Sequence, residues 1–191
     1  MAVFTKDNLN VFHIHVPRTG GTSIEIWFER SGYSSTWIGN RTRNRKCALQ
    51  HYDAELIEKF IRPNVKWDYS FITVRHPLTK MLSECKLRRV KDVNKWINHA
   101  LDKMAKNPYV WDNHLRPQHQ FLVNGIDRVF KFEEINSRQK ILKDKFPDLV
   151  GDMPHFSKGR RKILPNAISK ESIARIQEVY KKDYETFGYN L

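Results

Sequence analysis

Residues 11–23, VFHIHVPRTGGTS, constrain the fold more than any other stretch of this chain. Val11, Phe12, Ile14 and Val16 are β-formers, and Pro17 closes the run where a strand should end. Gly20 and Gly21 follow, allowing tight or positive-φ backbone with no Cβ in the way. Thr22 and Ser23 are good N-caps for the next segment, residues 24–30, where Ile24, Trp27 and Phe28 fall at helical spacing. Strand, glycine turn and helix start, in that order, aim peptide N–H groups and a helix dipole at an anion. Arg18 adds a fixed cation whose fork suits phosphate or sulfate oxygens. An ordinary βα turn capped by Thr or Ser is the plainer reading, and the combination of features favours the anion over it.

A nucleoside-triphosphatase loop needs G-x-x-x-x-G-K-[ST]. Here Gly21 stands where lysine should precede the hydroxyl residue, and His15 and Val16 stand where the loop should begin with glycine. A kinase or ATPase is disfavoured on that ground.

A chain of 191 residues with 40% hydrophobic and 12% aromatic content suits one domain with a core, and residues 1–191 are expected to form it. No run approaches about 18 apolar residues, so no membrane span is expected. The N-terminal MAVFTKDNLN lacks the basic-then-apolar pattern of a secretory leader. Two cysteines, Cys47 and Cys85, give neither a disulfide framework nor metal spacing, which fits a reducing cytoplasm. Net charge is +13, from 34 Lys+Arg against 21 Asp+Glu, and favours polyanionic partners. Three basic runs stand out, at 41–46 (RTRNRK), 86–91 (KLRRVK) and 158–162 (KGRRK).

Further elements follow from pattern. Residues 33–38 read as a short strand, and 50–60 as a helix capped by Asp53. Residues 69–74 (YSFITV) form a near-continuous apolar run, as in a parallel strand buried on both faces. Pro77 suits the first turn of the next helix. Helices are expected over 93–106, 137–145 and 170–187, a strand over 127–132, and a long loop over 146–167. Alternating strands and helices argue for an α/β fold around a small parallel sheet, whose ligands bind at the strands' carboxyl ends. That rule places residues 17–23 and 75–77 on one edge. Arg75 ends its strand, and Ser83 lies two turns into the helix, ~9 Å along its axis, so the pair is suited to grip a second phosphate.

Two anion grips in this order resemble the sulfotransferase family, specifically its carbohydrate branch with the heparan-sulfate 2-O- and 6-O-sulfotransferases. PRTGGTS at 17–23 resembles the loop for the 5′-phosphosulfate of 3′-phosphoadenosine 5′-phosphosulfate (PAPS), and VRHPLTKMLSE at 74–84 resembles the 3′-phosphate motif. DNHLRPQHQFL at 112–122, VFKFEEI at 129–135 and VYKKDYETFGY at 179–189 continue the likeness. The resemblance implies a three-layer P-loop-like fold with helices flanking the sheet. It implies that Arg18, Thr19, Gly20, Gly21, Thr22 and Ser23 hold the 5′-phosphosulfate, and that Arg75 and Ser83 hold the 3′-phosphate. HFSKGRRK at 155–162 is similar to the family's basic closing segment, which adds Ser157, Lys158 and Arg160 or Arg161. Two residues depart from the pattern: Arg18 stands where many relatives have lysine and cannot donate a proton, and His76 replaces the common aspartate.

Sulfuryl transfer to a hydroxyl needs a base, and histidine near pKa 6.5 is suited to it. Of the eight histidines, His51 in ALQHYDAEL resembles the segment that supplies the catalytic base in the 2-O and 6-O enzymes. His13 and His15 share a strand face and read as structural, with His15 near the site. Their H-x-H spacing lacks the carboxylates or cysteines of a zinc site, and no metal is expected. The resemblance over 112–122, a segment that borders the substrate in relatives, implies His114, Arg116 and His119 as candidates for the acceptor pocket. The implied reaction is in-line transfer from PAPS to an acceptor hydroxyl, on a carbohydrate and plausibly an anionic glycan. Two other readings stay open: a small-molecule kinase, and a non-catalytic polyanion or nucleic-acid binder, for which no nucleic-acid-binding signature is present.

Overall fold

A computed structural model describes residues 1–36, 46–154 and 167–190. Strands β1 (Ala2–Lys6) and β2 (Leu9–Ile14) form an antiparallel hairpin. Asp7 and Asn8 turn it with φ of 48° and 67°, the left-handed pair that a two-residue hairpin turn needs. Sequence reading starts the sheet at Val11 and has no strand over residues 2–6. The Asp-Asn pair between two β-rich runs is the signal it passed over.

Strand β3 (Ser34–Thr36) pairs antiparallel with β1, whereas β4 (Tyr69–Val74) runs parallel to β2 and β5 (Arg128–Lys131) parallel to β4. The sheet order is β3-β1-β2-β4-β5. The α/β class is as expected, but the sheet is mixed. Its β2–β4–β5 part is parallel, and the hairpin with β3 extends it antiparallel.

The helices are α1 (Gly21–Arg30), α2 (Ala54–Phe60), α3 (Pro77–Leu87), α4 (Val93–Lys106), the single turn α5 (Val110–Asn113), α6 (Ile135–Lys145), α7 (Lys170–Val179) and α8 (Lys181–Phe187). Asp53 caps α2 by accepting the Leu56 N–H at 3.0 Å, and Pro77 opens α3. Strands β2 and β4 are covered on both faces. Phe12, Ile14, Ile72 and Val74 pack with Ile57 and Phe121; Val11 and Phe71 pack with Ile24, Trp27, Phe28 and Leu142. A third cluster joins α3, α4, α7 and α8 around Met81, Cys85, Ile97, Leu101, Ile176 and Tyr180.

The single closing helix expected over 170–187 is two, broken at Tyr180 with φ −104° and ψ 16°. Two buried anchors accompany the bend. The Tyr180 hydroxyl donates to Leu115 O at 2.6 Å, and Asp183 accepts the N–H groups of Gln118 and His119 at 2.8 and 2.9 Å. Both reach the segment beside the parallel strands' carboxyl ends. There Ile14, Val74 and Lys131 deliver the glycine loop, Arg75 and Phe132 to one edge. No described helix is long and apolar enough to cross a membrane. Residues 37–38 of the strand expected over 33–38, 41–45 of the first basic run, the 158–162 run, and Ser157, Lys158, Arg160 and Arg161 lie outside the described residues.

Candidate active site

Gly20, not Thr22 or Ser23, caps α1, with φ 87° and ψ 18°. Thr22 and Ser23 fall inside the first turn, and the cap residue Gly20 supplies no side-chain hydrogen bond to the helix start. The first turn, Gly20 to Ser23, lines a cleft, the setting in which a helix N-terminus meets an anion. A Cβ on Gly20 would lie 3.0 Å from the Phe132 ring, and one on Gly21 would lie 2.5 Å from the His15 ring. Only glycine lets the loop sit against these two rings. Arg18 also bends the loop, with φ 69°. Thr19 is fully buried and donates its hydroxyl to Val16 O at 2.8 Å, bracing the loop from beneath.

A cleft of about 410 Å³ opens over this loop. It brings together Arg18, Gly20, Gly21, Thr22, Ser23, His51, Arg75, Ser83 and His114, with His15, Gln50 and Phe132 as further walls. The two expected anion grips share this one cleft. Arg18 donates Nε and Nη2 to Ser83 Oγ at 3.1 and 2.9 Å. Arg75 donates Nη1 to Arg18 O at 3.2 Å and Nε to Thr79 Oγ1 at 3.0 Å, and lies 4.2 Å over the Phe132 ring. Burial lowers both guanidinium pKa values, with Glu84 pulling Arg18 back up and Glu133 doing so for Arg75. The buried Gln118 clamps the Arg75 backbone, accepting its N–H at 2.8 Å and donating to its carbonyl at 2.6 Å.

Three imidazole–carboxylate pairs converge here. His15 meets Glu25 at 2.6 Å, His51 meets Asp112 at 2.9 Å, and His114 meets Glu84 at 3.0 Å. The His51 ring centroid lies 5.5 Å from that of His15 and 4.8 Å from that of His114. Burial raises all three carboxyl pKa values, but the paired imidazoles and neighbouring donors outweigh it and hold each at about 2. An ionised carboxylate only accepts, so the Asp112 contact takes the proton of His51 Nδ1–H and makes Nε2 the lone-pair nitrogen of the neutral ring. Burial pushes His51 down to about 4, against the pull of the Asp112 hydrogen bond, and His15 and His114 add to the fall. His51 is neutral at pH 7.

Asp112 carries no role in the sequence reading, although it stands two residues before a candidate histidine. Its second oxygen accepts the Ala48 N–H at 2.6 Å. Trp111 stacks on Trp96 at 5.2 Å with the Arg88 guanidinium 4.5 Å over its ring, and Asn113 donates to His51 O at 2.8 Å. Lys80 holds the His114 carbonyl at 2.8 Å.

Arg116 and His119 do not line the cleft. Arg116 donates to Asn113 and Gln120 at 2.7 and 2.8 Å and pairs with Asp53 at 3.2 Å. His119 meets Asp183 at 2.7 Å. His13 is fully buried near Phe4 and Phe71, with both ring nitrogens unbonded, and burial holds its pKa well below the usual value. Among the described residues, the group with metal-ligand spacing is not the H-x-H pair. It is His51, Asp112 and His114, whose ligand atoms lie within 4.8 Å of one another. As placed, Asp112 is committed to His51 and Ala48, and His114 to Glu84, an arrangement that suits proton transfer.

Set against known proteins, residues 1–190 match the model of the sulfotransferase family. No curated protein and no solved structure matches the chain.

Proposed function

The chain belongs to the sulfotransferase family, and on that footing we propose that it moves a sulfuryl group from PAPS to a carbohydrate hydroxyl with His51 as the base. The observation that carries this is the pairing of His51 with Asp112 in the same cleft as the open helix start, Arg18 and Arg75. The residues present fit such a donor. Gly20, Gly21, Thr22 and Ser23 line the cleft, and the Gly20 cap adds no side chain over the α1 N-terminus. The cradle from Arg18 to Ser23 would hold the 5′-phosphosulfate, and Arg75 with Ser83 the 3′-phosphate. When bound, PAPS supplies an activated sulfuryl group on a phosphate leaving group.

The chain's own residues do the rest. His51 Nε2 takes the acceptor hydroxyl proton, and Asp112 fixes the imidazole tautomer and balances the imidazolium that forms. Arg18 and the first N–H groups of α1 offset negative charge at the cradle, and Arg18 does so as a permanent cation without giving up a proton. His114, edge-on to His51, faces the acceptor side. No step in this reading calls on a metal. The +13 charge supports an anionic glycan as acceptor, in line with the 2-O/6-O branch, and two free buried cysteines support a cytoplasmic setting.

The test separates chemistry from binding. His51→Ala should abolish labelled-sulfate transfer while adenosine 3′,5′-bisphosphate still binds with near wild-type affinity. Arg75→Ala should weaken that binding. Two variants that keep both properties would sink the assignment.

A further inference from the structure

Two imidazoles and one carboxylate, from His51, His114 and Asp112, bring ligand atoms within 4.8 Å of one another beside the cleft. Their side chains are 12, 16 and 24% exposed, so an ion in the cleft can reach them. Each is held by contacts that spare an atom for a cation. Asp112 gives Oδ1 to the Ala48 N–H at 2.6 Å and turns Oδ2 to His51 at 2.9 Å. Glu84, ionised, accepts the His114 Nδ1–H at 3.0 Å, which leaves Nε2 of that ring. The other Glu84 oxygen is pinned by Arg88 Nε at 2.7 Å. His51 is fixed through its backbone, whose carbonyl accepts from the Asn113 amide at 2.8 Å. A carboxylate on the far nitrogen of one imidazole and an N–H on the far oxygen of the carboxylate form the outer shell that metal ligands carry.

We infer that His51, Asp112 and His114 form an inhibitory Zn²⁺ site, in which the ion competes with the base. The competition rests on the His51 reading above; the binding does not. The ion takes the place of the proton between His51 and Asp112, and that proton passes from Nδ1 to Nε2 of the His51 ring. His51 Nδ1, Asp112 Oδ2 and His114 Nε2 become the ligands, and the fourth position stays with water from the cleft. The Nε2 lone pair that would take the acceptor's proton is then filled. Two nitrogens and one oxygen suit zinc, whereas magnesium and calcium take oxygen sets. Zinc ligands at about 2.1 Å in a tetrahedron stand about 3.4 Å apart, so the widest pair here closes by about 1.4 Å. His51 and Asp112 already stand 2.9 Å apart, so that movement falls to the His114 ring, pivoting on its Glu84 contact.

The test is calorimetric titration of the chain with zinc chloride, with Co²⁺ as a spectroscopic probe of the same site. The wild-type chain should bind one Zn²⁺ with micromolar or tighter affinity, and Co²⁺ should show the intense visible bands of four-coordinate ligation. His114→Ala should weaken Zn²⁺ at least about tenfold, the scale on which even an outer partner acts. Asp112→Asn should do the same while keeping an oxygen for the Ala48 N–H, so its loss of metal is not a loss of fold. His99→Ala, at an exposed histidine of α4, should bind as wild type does. Labelled-sulfate transfer should fall in step with zinc occupancy and return on adding a chelator. Binding that survives both His114→Ala and Asp112→Asn, or no binding at micromolar zinc, would overturn the site and leave the base assignment standing. Undiminished transfer with the site loaded would overturn the competition, and His51 as the base with it.

Discussion

His51 donates its Nδ1–H to Asp112 at 2.9 Å, and Asp112 makes that contact from left-handed backbone, with φ of 62°. Trp111 and Asn113 on either side are left-handed too, at 51° and 66°. Non-glycine residues in that region cost about 1–2 kcal/mol each. The strain persists because the Trp96 and Arg88 contacts to Trp111, the Ala48 N–H and the Asn113 amide fix the segment from several sides. Backbone strain is thus concentrated where the proposed base is oriented.

Asp112→Asn keeps the shape of this contact and removes its charge. The carboxamide no longer dictates which imidazole nitrogen carries the proton. Turnover should fall about 10²-fold or more, with adenosine 3′,5′-bisphosphate binding unchanged. Wild-type turnover in this variant would show that His51 is not oriented through Asp112.

The depressed His51 pKa sets the pH behaviour. With its pKa at about 4, His51 is already neutral well below pH 6.5, so kcat/KM should stay flat through neutrality and fall only as pH nears 4. Stability moves the same way. His13, His15 and His51 titrate lower in the folded chain than their ordinary 6.5, so the unfolded chain binds more protons below that pH. Their contribution is complete above about pH 6.5 and is lost as pH falls toward 4. Glu25, Glu84 and Asp112, held at about 2, extend the loss from the ordinary carboxylate range downward. Calorimetry across this range should show a steadily falling melting temperature; a flat profile between pH 6.5 and 4.5 would contradict it.

What sequence could show was local. The YSFITV run, Pro77 at a helix start and Asp53 as a cap each act within a few residues, and β4, α3 and α2 follow from them. The glycine loop was legible for the same reason, although its cap is Gly20. Glu25, Glu84 and Asp112 were not, because each looks like an ordinary polar residue in its own segment. Their histidine partners stand 10, 30 and 61 residues away, and only the fold brings them together. Ser83 was assigned beside Arg75 by motif, whereas the structure sets it against Arg18.

Gly21→Ala tests the packing beneath the cradle. The added methyl would lie 2.5 Å from the His15 ring. That ring cannot withdraw, since its Nδ1 is held by Glu25 at 2.6 Å and lies 3.1 Å from the Gln50 amide. Overpacking of this kind costs about 1–3 kcal/mol, and denaturant unfolding should record it. Turnover should fall as well, because His15 would be driven toward His51. A variant as stable as wild type would mean the loop does not rest on His15.

Asp183 and His119 separate a brace from an acceptor contact. Asp183 is fully buried and accepts from Gln118 N, His119 N and His119 Nδ1. Asp183→Ala strands two backbone N–H groups at about 1–3 kcal/mol each. It also loosens Gln118, which clamps the Arg75 backbone, so weaker adenosine 3′,5′-bisphosphate binding should accompany the lower melting temperature. His119→Ala removes only the side-chain donor and leaves both backbone bonds to Asp183 in place. A bracing His119 predicts a loss of about 1 kcal/mol with unchanged kinetics. An acceptor-binding His119 predicts the reverse, wild-type stability with a raised KM for the acceptor. The buried Asp183 contact, which leaves the ring outside the cleft lining, favours the first outcome.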